Sequence, residues 1–262
     1  MREALGIRDP HPPSAASPLL PAPFRWDGAH VAADLGDHHV RFTTRRGGVS
    51  VAPYASLNLG RWTRDDPGSV AANYEGVTEE LGVDARRLAM GLQVHGAEVQ
   101  RRDEEPGPDD DLLACDGQAT HVEGVTCVVL AADCLPVALM CDGAIAMVHA
   151  GWRGLDGGVL EDGLRALREL GGRGPVTALI GPGAGPSCYE VGPELRRRFG
   201  TAGSSLDLKA IAVDRLRAQG AVEVHDVGLC TICSRTAGDF TFFSHRRDGE
   251  LTGRQAGFAW LS

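Results

Sequence analysis

Residues 125–150 read VTCVVLAADCLPVALMCDGAIAMVHA. Three apolar runs of strand length lie in this stretch, at 125–131, 135–141 and 144–150. The first is rich in β-branched residues, and Asp142-Gly143 separates the second from the third. That dipeptide is a type I′ hairpin signal, so the reading is strand, short link, hairpin. Beyond it, residues 157–170 place Val159, Leu160, Leu164 and Leu167 on one helical face, and Gly171-Gly172 stops the helix. Residues 176–180 form a further buried strand. Residues 206–219 carry Leu208, Ile211, Ala212 and Leu216 at helical spacing, ended by Gly220. Strands outnumber helices and follow one another directly, which predicts a mixed α/β domain and not a regular doubly wound sheet.

The hairpin has a chemical consequence. Antiparallel pairing around Asp142-Gly143 sets the start of the second run, beside Cys134, against the end of the third, at His149. A thiol and an imidazole at one rim make either a metal site or a thiolate–imidazolium pair; a buried cysteine and histidine that never meet is the remaining alternative. His95, in QVHG, is a third candidate that the hairpin does not place. A His/His/Cys set suits zinc and leaves a fourth position open, as a catalytic metal requires. The cysteine would bind as thiolate, coupling metal uptake to proton release.

The 262 residues suffice for a large core in one domain. A formal net charge of -9 argues against nucleic acid or an anionic membrane as main partner. The seven cysteines are odd in number and irregular in spacing, which favours a reducing compartment over a disulfide framework. Prolines break residues 1–23, so no signal peptide is expected there and a cytoplasmic location is. Residues 1–25 read as a disordered Pro/Ala-rich leader, and 26–262 as a single catalytic domain. The most apolar region is cut by Asp133, Pro136 and Asp142 and does not span a bilayer.

Weaker patterns complete the inventory. Cys230-Thr-Ile-Cys233 is a C-x-x-C without a second pair, expected to be packed or surface thiols. Residues 181–185 (GPGAG) imitate a phosphate loop but lack its full spacing, and the flanking prolines block a helix start. They read as a turn lining a pocket. Arg45-Arg46 and Arg246-Arg247, each beside glycine, are either solvated arginines or anion holders; Arg45 and Arg246 are the candidates for phosphate or substrate.

The blocks TTRRGGVS (43–50), YASLNLG (54–60), GLQVHGAEV (91–99), AADCLPV (131–137), HAGWRG (149–154), IGPGAGPSCYEVG (180–192) and FFSHRRDGELTGRQAGFAWL (242–261) occur in this order. In them the chain resembles the laccase-domain family, also called multicopper polyphenol oxidase, purine nucleoside phosphorylase and peptidoglycan editing factor. The resemblance implies one α/β/β/α-type sandwich domain with mixed sheets, similar to the catalytic domain of cytotoxic necrotizing factor toxins. It implies that His95, Cys134 and His149 are zinc ligands and catalytic. It also implies phosphorolysis of adenosine, inosine, guanosine and methylthioadenosine, with adenosine deamination as a second activity, so that the partners are a nucleoside and phosphate. The cytidine-deaminase signature is absent, so any deamination uses another scaffold. The family often has cysteine where this chain has Gly183, which predicts a different pocket shape there.

Two rival functions share the same residues. Copper oxidation of phenols needs many histidines, typically as H-x-H; this chain has nine histidines and no such pair. Copper would still compete with zinc for a His/His/Cys set. A cysteine hydrolase editing peptidoglycan precursors would use Cys134 as nucleophile and His149 as base.

Overall fold

A computed structural model describes residues 18–107 and 113–262. Two six-stranded mixed sheets pack face to face between helices. The first sheet runs β1 (Arg25–Asp27), β2 (His30–Leu35), β3 (His38–Phe42), β14 (Gln255–Leu261), β7 (Thr126–Ala131), β4 (Leu88–Ala89). The second runs β11 (Ala221–Asp226), β10 (Arg173–Ile180), β8 (Leu135–Asp142), β9 (Ala144–Ala150), β6 (Gly117–Thr120), β5 (Gln100–Arg102). Neighbours are antiparallel except at one edge of the first sheet, β4 with β7, and at both edges of the second, β5 with β6 and β11 with β10.

Side-chain alternation builds the layers. Along β8 and β9, Val137, Leu139, Ala146 and Val148 face outward under α2 (Trp152–Gly157), α3 (Val159–Glu169) and α5 (Leu208–Ala218). Ala138, Met140, Ile145 and Met147 face inward against Val31, Val40, Phe42, Val129 and Ala259 of the other sheet. The far side of that sheet packs on α1 (Pro67–Leu81) through Val70, Tyr74, Val77 and Phe258. The order is helix, sheet, sheet, helices, as the family resemblance implies. Strands β8 and β9 are buried on both faces, which is why they read as continuous apolar runs.

The predicted hairpin forms with Leu135 opposite Ala150 and Cys141 opposite Ala144. Its turn is not type I′, which needs positive φ at both central residues. Only Gly143 has one, at 77°; the register is unaffected. The predicted helices appear as α3 and α5, each one or two residues inside the expected limits. Of the expected leader, residues 1–17 lie outside the described residues. From Pro18 the chain is tied to the domain at points: Trp26 Nε1 donates to the Pro18 carbonyl at 2.9 Å, and Phe24 is buried in the inter-sheet core. The fold therefore begins before Trp26. Among the described residues no helix is long and apolar enough to cross a membrane.

Candidate active site

The same alternation that buries Met147 between the sheets puts His149, two residues on, at the open end of the inter-sheet space. His149 lies opposite Pro136, so Cys134 sits just past the paired strands on the same side. His95 arrives on the 91–99 loop. One ligand atom from each of His95, Cys134 and His149 lies within 4.8 Å of the others. The two imidazole rings stand edge to face with centroids 5.0 Å apart. The structure thus brings together the pair that the hairpin implied and the third residue that it left unplaced.

Asp116, fully buried between β5 and β6, organises this group. Its Oδ1 accepts from His149 Nδ1 at 2.8 Å and from the His95 amide at 3.0 Å. Its Oδ2 accepts from the Gly96 and Val94 amides at 2.6 and 3.1 Å. One carboxylate therefore wraps the His95 loop and fixes the His149 tautomer, leaving the lone pair of Nε2 free for the site. The loop bends sharply enough that His95 has φ 59°, a left-handed conformation that three amide bonds to Asp116 hold in place. Burial alone would raise the Asp116 pKa, but His149 and the amides outweigh it and hold the carboxyl below its ordinary range.

Burial likewise disfavours both a Cys134 thiolate and a charged His149, yet each stabilises the other. The thiol is held below its usual range by His149 and His95, and His149 above its own by Cys134 and Asp116. Gly151 makes this approach sterically allowed: a Cβ there would meet Cys134 Sγ at 2.7 Å.

Asp133, beside Cys134, has φ 91° and is held from both ends. Its carboxylate accepts from Thr231 Oγ1 and the Arg246 amide, each at 2.6 Å, and its carbonyl accepts from the Ala184 amide at 2.8 Å. The GPGAG segment is accordingly a turn at the site wall, not a phosphate loop. A Cβ at Gly183 would collide with Leu135 Cδ2 at 2.3 Å. Leu135 thus occupies the space that a cysteine would need.

The predicted arginines separate. Arg45 is half-buried, donates through Nε to the Ala55 carbonyl at 2.8 Å and lies over Phe243. Arg246 is exposed; its guanidinium reaches the Glu190 carbonyl and lies 4.7 Å from the Tyr189 ring centroid. Neither contacts the His–Cys–His group. Arg254, which sequence reasoning missed, lies near enough to Cys134 for the two to interact electrostatically. Burial lowers its pKa, and Cys134 and Asp133 pull the other way. Its Nη1 donates only to the Thr252 and Gly253 carbonyls. Among the described residues no carboxylate stands within ion-pair distance of Arg45 or Arg254. Tyr189, also near Cys134, is pushed up by burial and then by that thiolate. Nothing local in the sequence flags Asp116, in CDGQ, or Arg254, inside the block 242–261.

The Cys230/Cys233 pair is not isolated. Cys188 joins it, and the three sulfurs lie within 4.8 Å of one another.

Comparison with known proteins adds the family. The model of a family described as multi-copper polyphenol oxidoreductase laccase matches residues 39–262. A Streptomyces coelicolor protein named purine nucleoside phosphorylase is 40% identical over 237 residues, covering 85% of this chain and 95% of that one. A Pseudomonas aeruginosa protein with the same name is 39% identical over 237 residues, covering 84% and 91%. The crystal structure of Bacillus licheniformis hypothetical protein YfiH superposes with a TM-score of 0.84 at 27% identity, over 92% of this chain and all of that one.

Proposed function

The chain belongs to the family described as multi-copper polyphenol oxidoreductase laccase, and on that premise we propose that it is a zinc-dependent purine nucleoside phosphorylase. The observation that carries this reading is the convergence of His95, Cys134 and His149 on one point at the mouth between the sheets. The donor set fits zinc. Ligands at 2.0–2.3 Å from a tetrahedral ion stand roughly 3.5 Å apart, within the 4.8 Å observed. Asp116 supplies the carboxylate that metal-binding histidines ordinarily carry on their other nitrogen. Zinc held there would supply Lewis acidity at an open fourth position.

The remaining work falls to the chain. Arg254, half-buried and without a carboxylate, is proposed to hold phosphate beside the site, with Arg45 and Arg246 as further anion-binding residues. Asp133 keeps the turn of Cys134 fixed while substrate binds. The nucleosides proposed are adenosine, inosine, guanosine and methylthioadenosine, with adenosine deamination as a second activity in a cytoplasmic enzyme of one domain. The test is phosphate-dependent release of free base from a nucleoside panel, with metal measured on the same preparation. Turnover without phosphate dependence on every nucleoside would overturn it.

One observation favours a second reading. Asp116, His149 and Cys134 also stand in the order of a hydrolase triad, with the acid on Nδ1 and the thiol facing the other nitrogen. A hydrolase of peptidoglycan precursors would use them so. Chelation would abolish the zinc enzyme and spare the cysteine hydrolase. Copper oxidation of phenols is the weaker alternative: among the described residues the donor groups are this trio and a cluster of thiols. Copper would bind the trio by displacing zinc.

A further inference from the structure

Three loops meet on the wall beside Tyr189, and each brings a cysteine or fixes one. The first, 183–190, carries Cys188 on a turn whose amide donates to the Gly185 carbonyl at 3.0 Å. The second is the turn Cys230-Thr-Ile-Cys233. The third is the helix α6 (His245–Asp248), which carries Arg246, a candidate for phosphate or substrate, and Arg247. Both arginines fasten the other two loops. The Arg246 guanidinium holds the Glu190 carbonyl, two residues from Cys188. Arg247 Nη1 donates to the Thr231 and Ile232 carbonyls, each at 3.0 Å, inside the C-x-x-C turn.

Within this frame the sulfurs of Cys188, Cys230 and Cys233 lie within 4.8 Å of one another. One backbone amide is aimed at a sulfur of this group. The Gly185 amide donates to Cys230 Sγ at 3.2 Å. A C-x-x-C spacing lets both thiols of one turn reach the same metal ion. Gly185 is part of the cradle, since a Cβ there would stand 3.2 Å from that sulfur. The carbonyls of the turn are held by Arg247, and the Thr231 amide donates to the Gly183 carbonyl and the Ser234 amide to the Cys230 carbonyl, each at 3.0 Å, so the turn is fixed without any cation.

We infer that Cys188, Cys230 and Cys233 form a second metal site, for a thiophilic d¹⁰ cation of the zinc class. Three thiolates at a zinc-sized ion stand roughly 3.8 Å apart, within the observed limit. Cys230 and Cys188 are half-buried and Cys233 is exposed, so the fourth position faces solvent. The site belongs to a different wall from His95, Cys134 and His149 and shares no ligand with them. Its effect is structural: the cation ties the Tyr189 loop to the C-x-x-C turn and so sets the outer wall of the active site.

The test is residue-resolved alkylation of the whole chain, reduced and freed of metal by chelator. Iodoacetamide is applied with and without added Zn²⁺, and peptides are quantified by mass spectrometry. Zinc at roughly ten times its dissociation constant should slow labelling of Cys188, Cys230 and Cys233 together by about tenfold. A Cys134→Ala, His149→Ala protein should show the same protection and retain a zinc. Cys230→Ser should remove that zinc and unprotect the other two thiols. Equal labelling with and without zinc overturns the inference, as does protection lost in the Cys134→Ala, His149→Ala protein with native near-UV circular dichroism. Recovery of a disulfide among the three cysteines from the protein prepared under reductant overturns it too.

Discussion

At Asp116 one side chain serves two proposed ligands that are 54 residues apart in sequence, gripping the His149 ring and the backbone of the His95 loop. Replacement by asparagine keeps the shape but turns one oxygen into a donor facing amide N–H groups. Asp116→Asn should therefore lower zinc affinity about 10–100-fold, read by competition with a chromogenic chelator. Unchanged affinity would mean that the carboxylate is only structural. Gly151→Ala should act on the thiol alone, because its new methyl would meet Cys134 Sγ at 2.7 Å. The expected result is a folded protein with less metal; full metal content would show that the 149–154 turn yields freely. Arg254→Lys keeps the charge and loses the fork. It should raise the apparent KM for phosphate with zinc content intact, and more so than Arg45→Lys or Arg246→Lys, because Arg254 is half-buried near enough to Cys134 and Asp133 to interact with both. If deamination, which needs no phosphate, falls as far as phosphorolysis, these arginines position the nucleoside instead.

Among the elements, the β8–β9 hairpin does most to place the site, and it was the most legible. Two uninterrupted apolar runs around Asp-Gly admit one register, and that register is the one observed. Truncating its centre, Leu139→Ala, removes a fully buried side chain from the helix-facing core. It should cost about 2–5 kcal/mol, measured by urea unfolding, while metal affinity of the folded fraction stays near that of the parent. A fall in affinity matching the fall in stability would show that hairpin and site are one cooperative unit. What escaped the sequence has physical reasons. Helix α2 is built from WRGLDG, whose glycines disfavour a helix, and is held by its place between β9 and α3. The His95 loop has no periodicity, because its shape comes from amide bonds to an aspartate far along the chain. Cys188 meets the C-x-x-C turn only through tertiary structure. These are long-range pairings, which local pattern does not encode.

Across the whole molecule, charge fastens the helix layer to the sheets. The Asp162 carboxylate, on α3, accepts from the Val99 amide at 2.7 Å and from both Arg101 Nη atoms at 2.8 and 2.9 Å. Burial opposes its ionisation, but Arg101 and the amide prevail and hold its pKa below the ordinary value. Such a group stabilises the fold above its unfolded pKa of about 3.9 and loses that contribution as pH falls through the lower folded value. Asp162→Asn should therefore be less stable than the parent at pH 7, and the gap in urea midpoint should narrow below ~pH 4. A gap independent of pH would assign the loss to packing and not to charge.

The strands that end the two sheets differ in a way that bears on how the protein behaves when crowded. Three of them, β1, β4 and β5, have three, two and three residues. A ladder that short offers an incoming chain too few amide and carbonyl groups to nucleate on. Strand β11 has six residues, and Val222 near its start is 70% exposed. Glu223 and His225 beside it put charged or polar groups on the same ribbon, which discourages a second molecule from adding edge to edge. Colloidal stability in this fold is thus delegated to brevity at three rims and to side-chain polarity at the fourth. Concentration-driven fibre growth, where it occurs, should start from β11.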